Sequence, residues 1–279
     1  MDKIRKLFGN REMTWKRLVI FSVLCAVYTA AMLLIPGINE TALREIGVGF
    51  ECWFILAIFV VSNCGNAKEA AVKCFVFFLI SQPLIYLIQS PFVHRNLIAE
   101  YYKPWLIKTF LTIPGGFIAY QIKRKDLLGS LVLAVAGIFL SYYGVDLVLA
   151  NLSPFRIDYV LYGLLLVAAA VMLGFIFCGS RKLRTIYLII ILAAGLTLGA
   201  VTSQNALSAK NYDIALSEGD WYISSCSYSK MEAEIVDGTL KITYYGSSST
   251  GEVLLENGNG DRLSYSLHVE NGELVIIEN

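Results

Sequence analysis

Four ionisable side chains interrupt long apolar runs of this chain: Glu51, Lys108, Asp146 and Asp158. A charge surrounded by hydrocarbon is costly, so such groups pair with one another, face a water-filled cavity or snorkel to the interface. The chemistry they offer is an outward-facing polar vestibule in which Lys108 balances one or more of the carboxylates. Each of the four stands within a turn or two of the end of its run. That placement favours snorkelling and helix-end pairing over a ligand site.

Two helix-breaking sets form a second constellation. Ser81-Gln82-Pro83 lies in the apolar stretch 70–89, and Ile113-Pro114-Gly115-Gly116 lies in 104–122. Consecutive spans run antiparallel, so the two sets fall at similar depth. Each Pro removes a backbone donor, and broken helices near the midplane are where many transporters bind substrate. Gln82 and Pro114 therefore join Lys108 as candidates for a small-solute site. No matching break occurs in the sixth apolar stretch, which makes a packing kink the stronger explanation.

The sequence offers no catalytic, cofactor or metal set. A P-loop, a G-x-G-x-x-G turn, H-E-x-x-H and G-x-S-x-G are all absent, and enzymatic chemistry is not expected. Asn257, Asn259 and Asp261 place oxygens at alternate positions, but Arg262 stands where a calcium loop needs Gly, so a hairpin turn is expected. Five of the six cysteines lie in or beside apolar stretches and Cys226 stands alone, so no disulfide framework is indicated. His94 and His268 are far apart in the sequence. The basic clusters Lys123 to Lys125 and Arg181 to Arg184 are explained by membrane topology, and no nucleic-acid partner is expected.

The elements that must position these residues are membrane helices. Hydrophobic residues make up 56% of the 279, charged residues only 16%, and mean hydropathy is +0.60. Soluble domains are about 45–50% apolar and about 25% charged. A span needs about 20 mainly apolar residues. Seven stretches qualify, at 17–36, 47–64, 70–89, 104–122, 127–149, 157–178 and 185–203. The weakest is 70–89, because Ser81-Gln82-Pro83 interrupts it. Small residues four apart (Ala26/Ala30, Ala170/Gly174, Gly195/Gly199) predict close helix packing.

With the N-terminus inside, the inner side carries 14 Lys/Arg and the outer loops 4, which orients the bundle by the positive-inside rule. The first apolar stretch is too long for a signal peptide and Ile35-Pro36-Gly37 is not a cleavage site, so it reads as an uncleaved helix. Residues 1–16 form a cytoplasmic segment and 17–203 the helical domain. The partner of that domain is the lipid bilayer of a plasma membrane.

Beyond the helices the composition changes. Residues 1–203 carry a net charge of +9, and residues 204–279 carry −8. After a linker at 204–211, the segment 212–279 shows period-2 runs at Trp221–Ile223, Ala233–Val236, Leu240–Tyr245, Val253–Leu255, Leu263–Val269 and Leu274–Ile277. Asp237-Gly238, Gly246–Ser249, Asn257–Gly260 and Asn271-Gly272 supply turns between them. Ile235–Ile242 matches Val269–Ile276, as two related hairpins would. The expected architecture is an all-α membrane bundle of about seven transmembrane helices, followed by a small antiparallel β domain outside the cell. The leading expectation for function is a non-enzymatic envelope protein whose β domain meets a protein or small-molecule partner. The rival is a small-solute transporter or permease subunit.

Overall fold

The computed structural model describes residues 8–9, 12–35, 37–38, 41–93, 102–152, 156–204, 210–217, 219–226, 231–244, 251–270 and 273–278. Its helices are α1 (Trp15–Leu34), α2 (Ala42–Val48), α3 (Phe50–Ser62), α4 (Ala67–Val93), α5 (Lys103–Ala119), α6 (Leu127–Ala150), α7 (Ile157–Phe177) and α8 (Arg181–Gln204). A 3-10 turn, Tyr120–Lys123, extends α5. The strands are β1 (Lys210–Ala215), β2 (Tyr222–Cys226), β3 (Met231–Val236), β4 (Thr239–Tyr244), β5 (Gly251–Glu256), β6 (Arg262–Glu270) and β7 (Glu273–Glu278). The chain divides into two compact units: Met1–Leu140 with Ala168–Ala193, and Ser141–Val167 with Ala194–Asn279.

Helix starts follow local chemistry. Thr14 caps α1 by accepting from Arg17 N at 3.3 Å, and Thr41 caps α2 by accepting from Leu43 N at 3.3 Å. Asp126 does the same for α6, accepting from Gly129 N at 3.0 Å and pairing with Arg124. Those two contacts hold its exposed carboxyl below the ordinary range.

In the first unit α4 is the central post, with α1 and α5 lying along it. Ala26 and Ala30 of α1 are fully buried and share a core with Trp53, Val60, Val61, Cys74, Phe77 and Phe78. Phe21 stacks on Phe77 at 5.5 Å. Tyr187 of α8 rests on Gly174 and donates to Ala170 O at 2.7 Å. The expected role of the small residues in close packing is thus met at both places.

In the second unit α6 and α7 meet at two glycines. A methyl on Gly163 would stand 2.5 Å from Gly144 O, and one on Gly144 2.6 Å from Gly163 O. Gly195 of α8 sits against Ser141 and Gly199 against Val145. The strands form two antiparallel sheets, ordered β1-β4-β3 and β2-β5-β6-β7. One core joins them: Met231, Leu240, Ile242 and Tyr244 from the first sheet meet Cys226, Val253, Leu255, Tyr265 and Leu267 from the second. The β3–β4 hairpin turns at Asp237-Gly238 with φ of 51° and 72°, as a two-residue turn requires. The Gly246–Ser249 and Asn271-Gly272 turns lie outside the described residues.

The expected count of seven spans is not confirmed. Among the described residues five helices (α1, α4, α6, α7, α8) are long and apolar enough to cross a membrane, or six if α2 and α3 form one span bent by 46°. The expected stretch 47–64 divides at Gly49, where the backbone leaves helical geometry. The stretch 104–122 becomes α5, whose 17 residues end in the tighter 3-10 turn. The third apolar stretch is one continuous helix, since α4 runs through Pro83 and Pro91. Likewise α5 runs through Pro114. Strand β1 begins at Lys210, inside the segment read as a linker.

Candidate functional site

Helix α5 opens with Pro104 in its first turn, where a missing donor costs nothing. One turn later Lys108 is exposed, with its ammonium 4.4 Å from the centre of the Trp105 ring. Among the described residues of its unit no carboxylate reaches it. Thr109 donates to Trp105 O at 2.8 Å and Thr112 to Thr109 O at 2.6 Å. Both hydroxyl protons are thereby given to their own helix, and each oxygen keeps only its acceptor capacity.

These residues edge a cavity of about 650 Å³ that lies within the first unit. Its size is that of a small-molecule site, which spans about 300–1,000 Å³. Helix α3 contributes a stripe at helical spacing: Phe50, Trp53, Phe54, Ala57, Ile58 and Val61. Cys74 and Phe78 of α4, and Val132, Val135 and Ala136 of α6, complete the walls. Trp53 is held in place by donating its indole N–H to Gly47 O at 3.0 Å, a carbonyl that also accepts from Thr29. The wall is therefore nearly all apolar, with Lys108 at one lip.

The two glycines after Pro114 have different jobs. A Cβ on Gly116 would press on Ala70 O at 3.0 Å and Cys74 Cβ at 3.0 Å, so this glycine lets α5 lie on α4. A Cβ on Gly115 would meet nothing within 4 Å; this exposed residue borders the cavity.

Of the six residues singled out by sequence, Glu51, Gln82, Lys108 and Pro114 fall in the first unit, and Asp146 and Asp158 in the second. Only Lys108 lines the cavity. Glu51 is 1% exposed, with its carboxylate folded back into the room Gly49 leaves. Gln82 is buried, and its Nε2 has no hydrogen-bond partner among the described residues. Asp146 is half-buried in α6. Asp158 stands 3.9 Å from Arg156, whose guanidinium also covers the Tyr159 ring at 4.6 Å.

Sequence reasoning missed a polar knot at the other end of the first unit. Lys73 is 4% exposed, and its ammonium contacts Met13 O and the Glu69 carboxylate. Nearby, Lys123 donates to Cys64 O at 2.6 Å and Tyr120 to Gly65 O at 2.6 Å. Glu69 in turn accepts from Gly65 N at 2.7 Å. The buried Cys64 thiol donates to Val60 O at 3.3 Å. The knot ties the segment before α1 to the α3–α4 turn.

In the β domain, Asn257 Oδ1 accepts from Asn259 N at 3.0 Å and Asp261 N at 2.9 Å, and Asn257 Nδ2 donates to Asp261. These oxygens close the turn on itself. Among the described residues no group of His, Cys, Asp or Glu could hold a metal ion. Compared with protein-family models, with curated proteins and with solved structures, the chain matches none.

Proposed function

We propose that the chain is a plasma-membrane protein without enzymatic chemistry, crossing the bilayer seven times and displaying its acidic β domain outside as a binding module. The observation that carries this reading is the ratio of 14 Lys/Arg on one set of loops to 4 on the other. Seven spans are reached when the bent pair α2–α3 and α5 with its 3-10 turn each count as one. Support for a displayed module comes from the solvated face of the β1-β4-β3 sheet, where Asp213, Glu232 and Glu234 are exposed over the shared core. Such a face keeps the sheet soluble and repels an anionic bilayer.

The test is a phosphatase reporter joined after Asn279, beside the same fusion carrying a fluorescent protein that matures only inside. Phosphatase activity without fluorescence is expected. The reverse result would mean an even number of spans and an internal β domain.

A second reading, a small-solute carrier near Gln82, Lys108 and Pro114, is favoured by the buried Gln82 amide nitrogen, which has no partner among the described residues. Against it stands the apolar cavity wall, which neither Gln82 nor Pro114 joins. Purification in mild detergent followed by mass spectrometry separates the two readings. A stoichiometric polar solute lost in Gln82→Leu supports the carrier, and a stoichiometric protein supports the module.

A further inference from the structure

We propose that the α3–α6 cavity holds one acyl chain of an anionic membrane lipid, with Lys108 and Trp105 at the level of its headgroup. The inference rests on the chain residing in a membrane. It is independent of the orientation of the bundle and of what the β domain binds.

The wall argues for an apolar occupant. Phe50, Phe54 and Phe78 line it, and the Thr109 and Thr112 hydroxyls donate to carbonyls of α5, which leaves the wall no free hydroxyl donor among these two. A polar solute would find almost nothing to replace its hydration, and desolvating it without compensation is unfavourable. The rim argues for entry from the side. Leu111 and Val135, which border the cavity, are 66% and 68% exposed on the helix surface. In a bilayer that surface is hydrocarbon, so an acyl chain passes from the membrane into the cavity without meeting water.

Charge and depth argue for an anionic headgroup. Lys108 has no carboxylate partner among the described residues of its unit, and its ammonium lies over the Trp105 indole. Lys and Trp near a helix end settle at the headgroup level, where anionic lipid supplies the missing counter-charge. From Lys108 to Ile118, both on the wall, α5 rises about 15 Å. One leaflet of a hydrocarbon core about 30 Å thick has that depth. A chain hung from a headgroup at Lys108 therefore follows the cavity wall as far as Ile118, at the depth of the bilayer midplane, and the wall continues beyond it to Ala119 and Ile122. Gly115 lies on this path and leaves the space open, whereas Gly116 is required by the α4 contact.

Full-length protein carrying Trp15→Phe and Trp221→Phe keeps indoles only at Trp53 and Trp105, both on the cavity wall. This parent is placed in phosphatidylcholine vesicles containing brominated phosphatidylglycerol or brominated phosphatidylcholine, and indole quenching is measured. Half-quenching is expected at about fivefold lower mole fraction of the anionic lipid, the enrichment one Lys near an anionic surface supplies. Lys108→Gln should erase the difference between the lipids. Gly115→Leu, which meets no atom on α4, should weaken quenching by both lipids.

Equal half-quenching by the two lipids in the parent overturns the proposal. So does quenching that survives Gly115→Leu in a folded protein. If a second copy fills the cavity instead, Gly115→Leu lowers the particle mass in light scattering and leaves quenching unchanged, which also overturns it. Should Gly115→Leu fail to fold, the exposed Lys108→Gln substitution decides alone. A chain that does not float with the vesicles overturns the membrane reading together with this one, whereas floating without lipid discrimination overturns this one only.

Discussion

Lys73 and Lys108 show how little residue type says about environment. Lys108 is the basic residue that sequence places deepest in an apolar run, yet it is exposed beside Trp105. Lys73, counted among the inner-side cations at the start of the stretch 70–89, is the buried one, tied to Met13 O and Glu69. Lys73→Met removes both contacts, and charge-assisted hydrogen bonds of this kind are each worth about 1.5–3 kcal/mol. A loss of about 2–3 kcal/mol in detergent thermal stability is expected, and Glu69→Gln in the same chain should recover part of it. An unchanged melting temperature for Lys73→Met would show that water replaces the ammonium at no cost.

Tyr244 allows a pH prediction at the same scale. It is fully buried in the β core, and burial raises its phenol from 10 to about 12. The unfolded chain gives up this proton first, so the phenol's contribution is complete below pH 10 and is lost as pH rises toward about 12. Melting temperature should therefore fall less steeply across that window in Tyr244→Phe than in the parent. Identical slopes would place the phenol in contact with water.

At the scale of elements, the decisive contacts are places where a side chain is missing. At Gly144 and Gly163 two backbones touch, so α6 and α7 must separate if either gains a side chain. Gly163→Leu should cost about 1–3 kcal/mol or more through overpacking, read as a lowered melting temperature. Gly115→Leu is the contrast: it projects into open space and should leave the melting temperature unchanged. Equal losses in the two variants would contradict this distinction. Sequence marks Gly115 and Gly116 together as a weak point in a helix. Helix α5 nevertheless continues through Pro114, because the neighbouring α4 supports its packing face.

At the scale of the whole molecule, two solvents shape one chain. The net charge is +9 over residues 1–203 and −8 over 204–279, the division that the proposed topology requires of a helical part oriented by its cations and a β part solvated by its acids. The two sheets share one core of their own, so residues 210–279 expressed alone should give a β-type circular dichroism spectrum and a cooperative melt. A dominantly helical spectrum would overturn that assignment. The helices long and apolar enough to cross a membrane, the placement of strands β2 to β7 and the Asp237-Gly238 turn were legible in the sequence. Each depends on near-neighbour rules: a run of about 20 apolar residues, period-2 alternation, a turn that needs positive φ. Lys108 was legible too, as a charge in an apolar run. The span count, the burial of Lys73 and the cavity were not. The cavity takes Trp53, Phe78, Gly115 and Val135 from four different helices. Nothing in the spacing of any one helix records where the others cross it, so only the tertiary structure decided that an open apolar space remains between them.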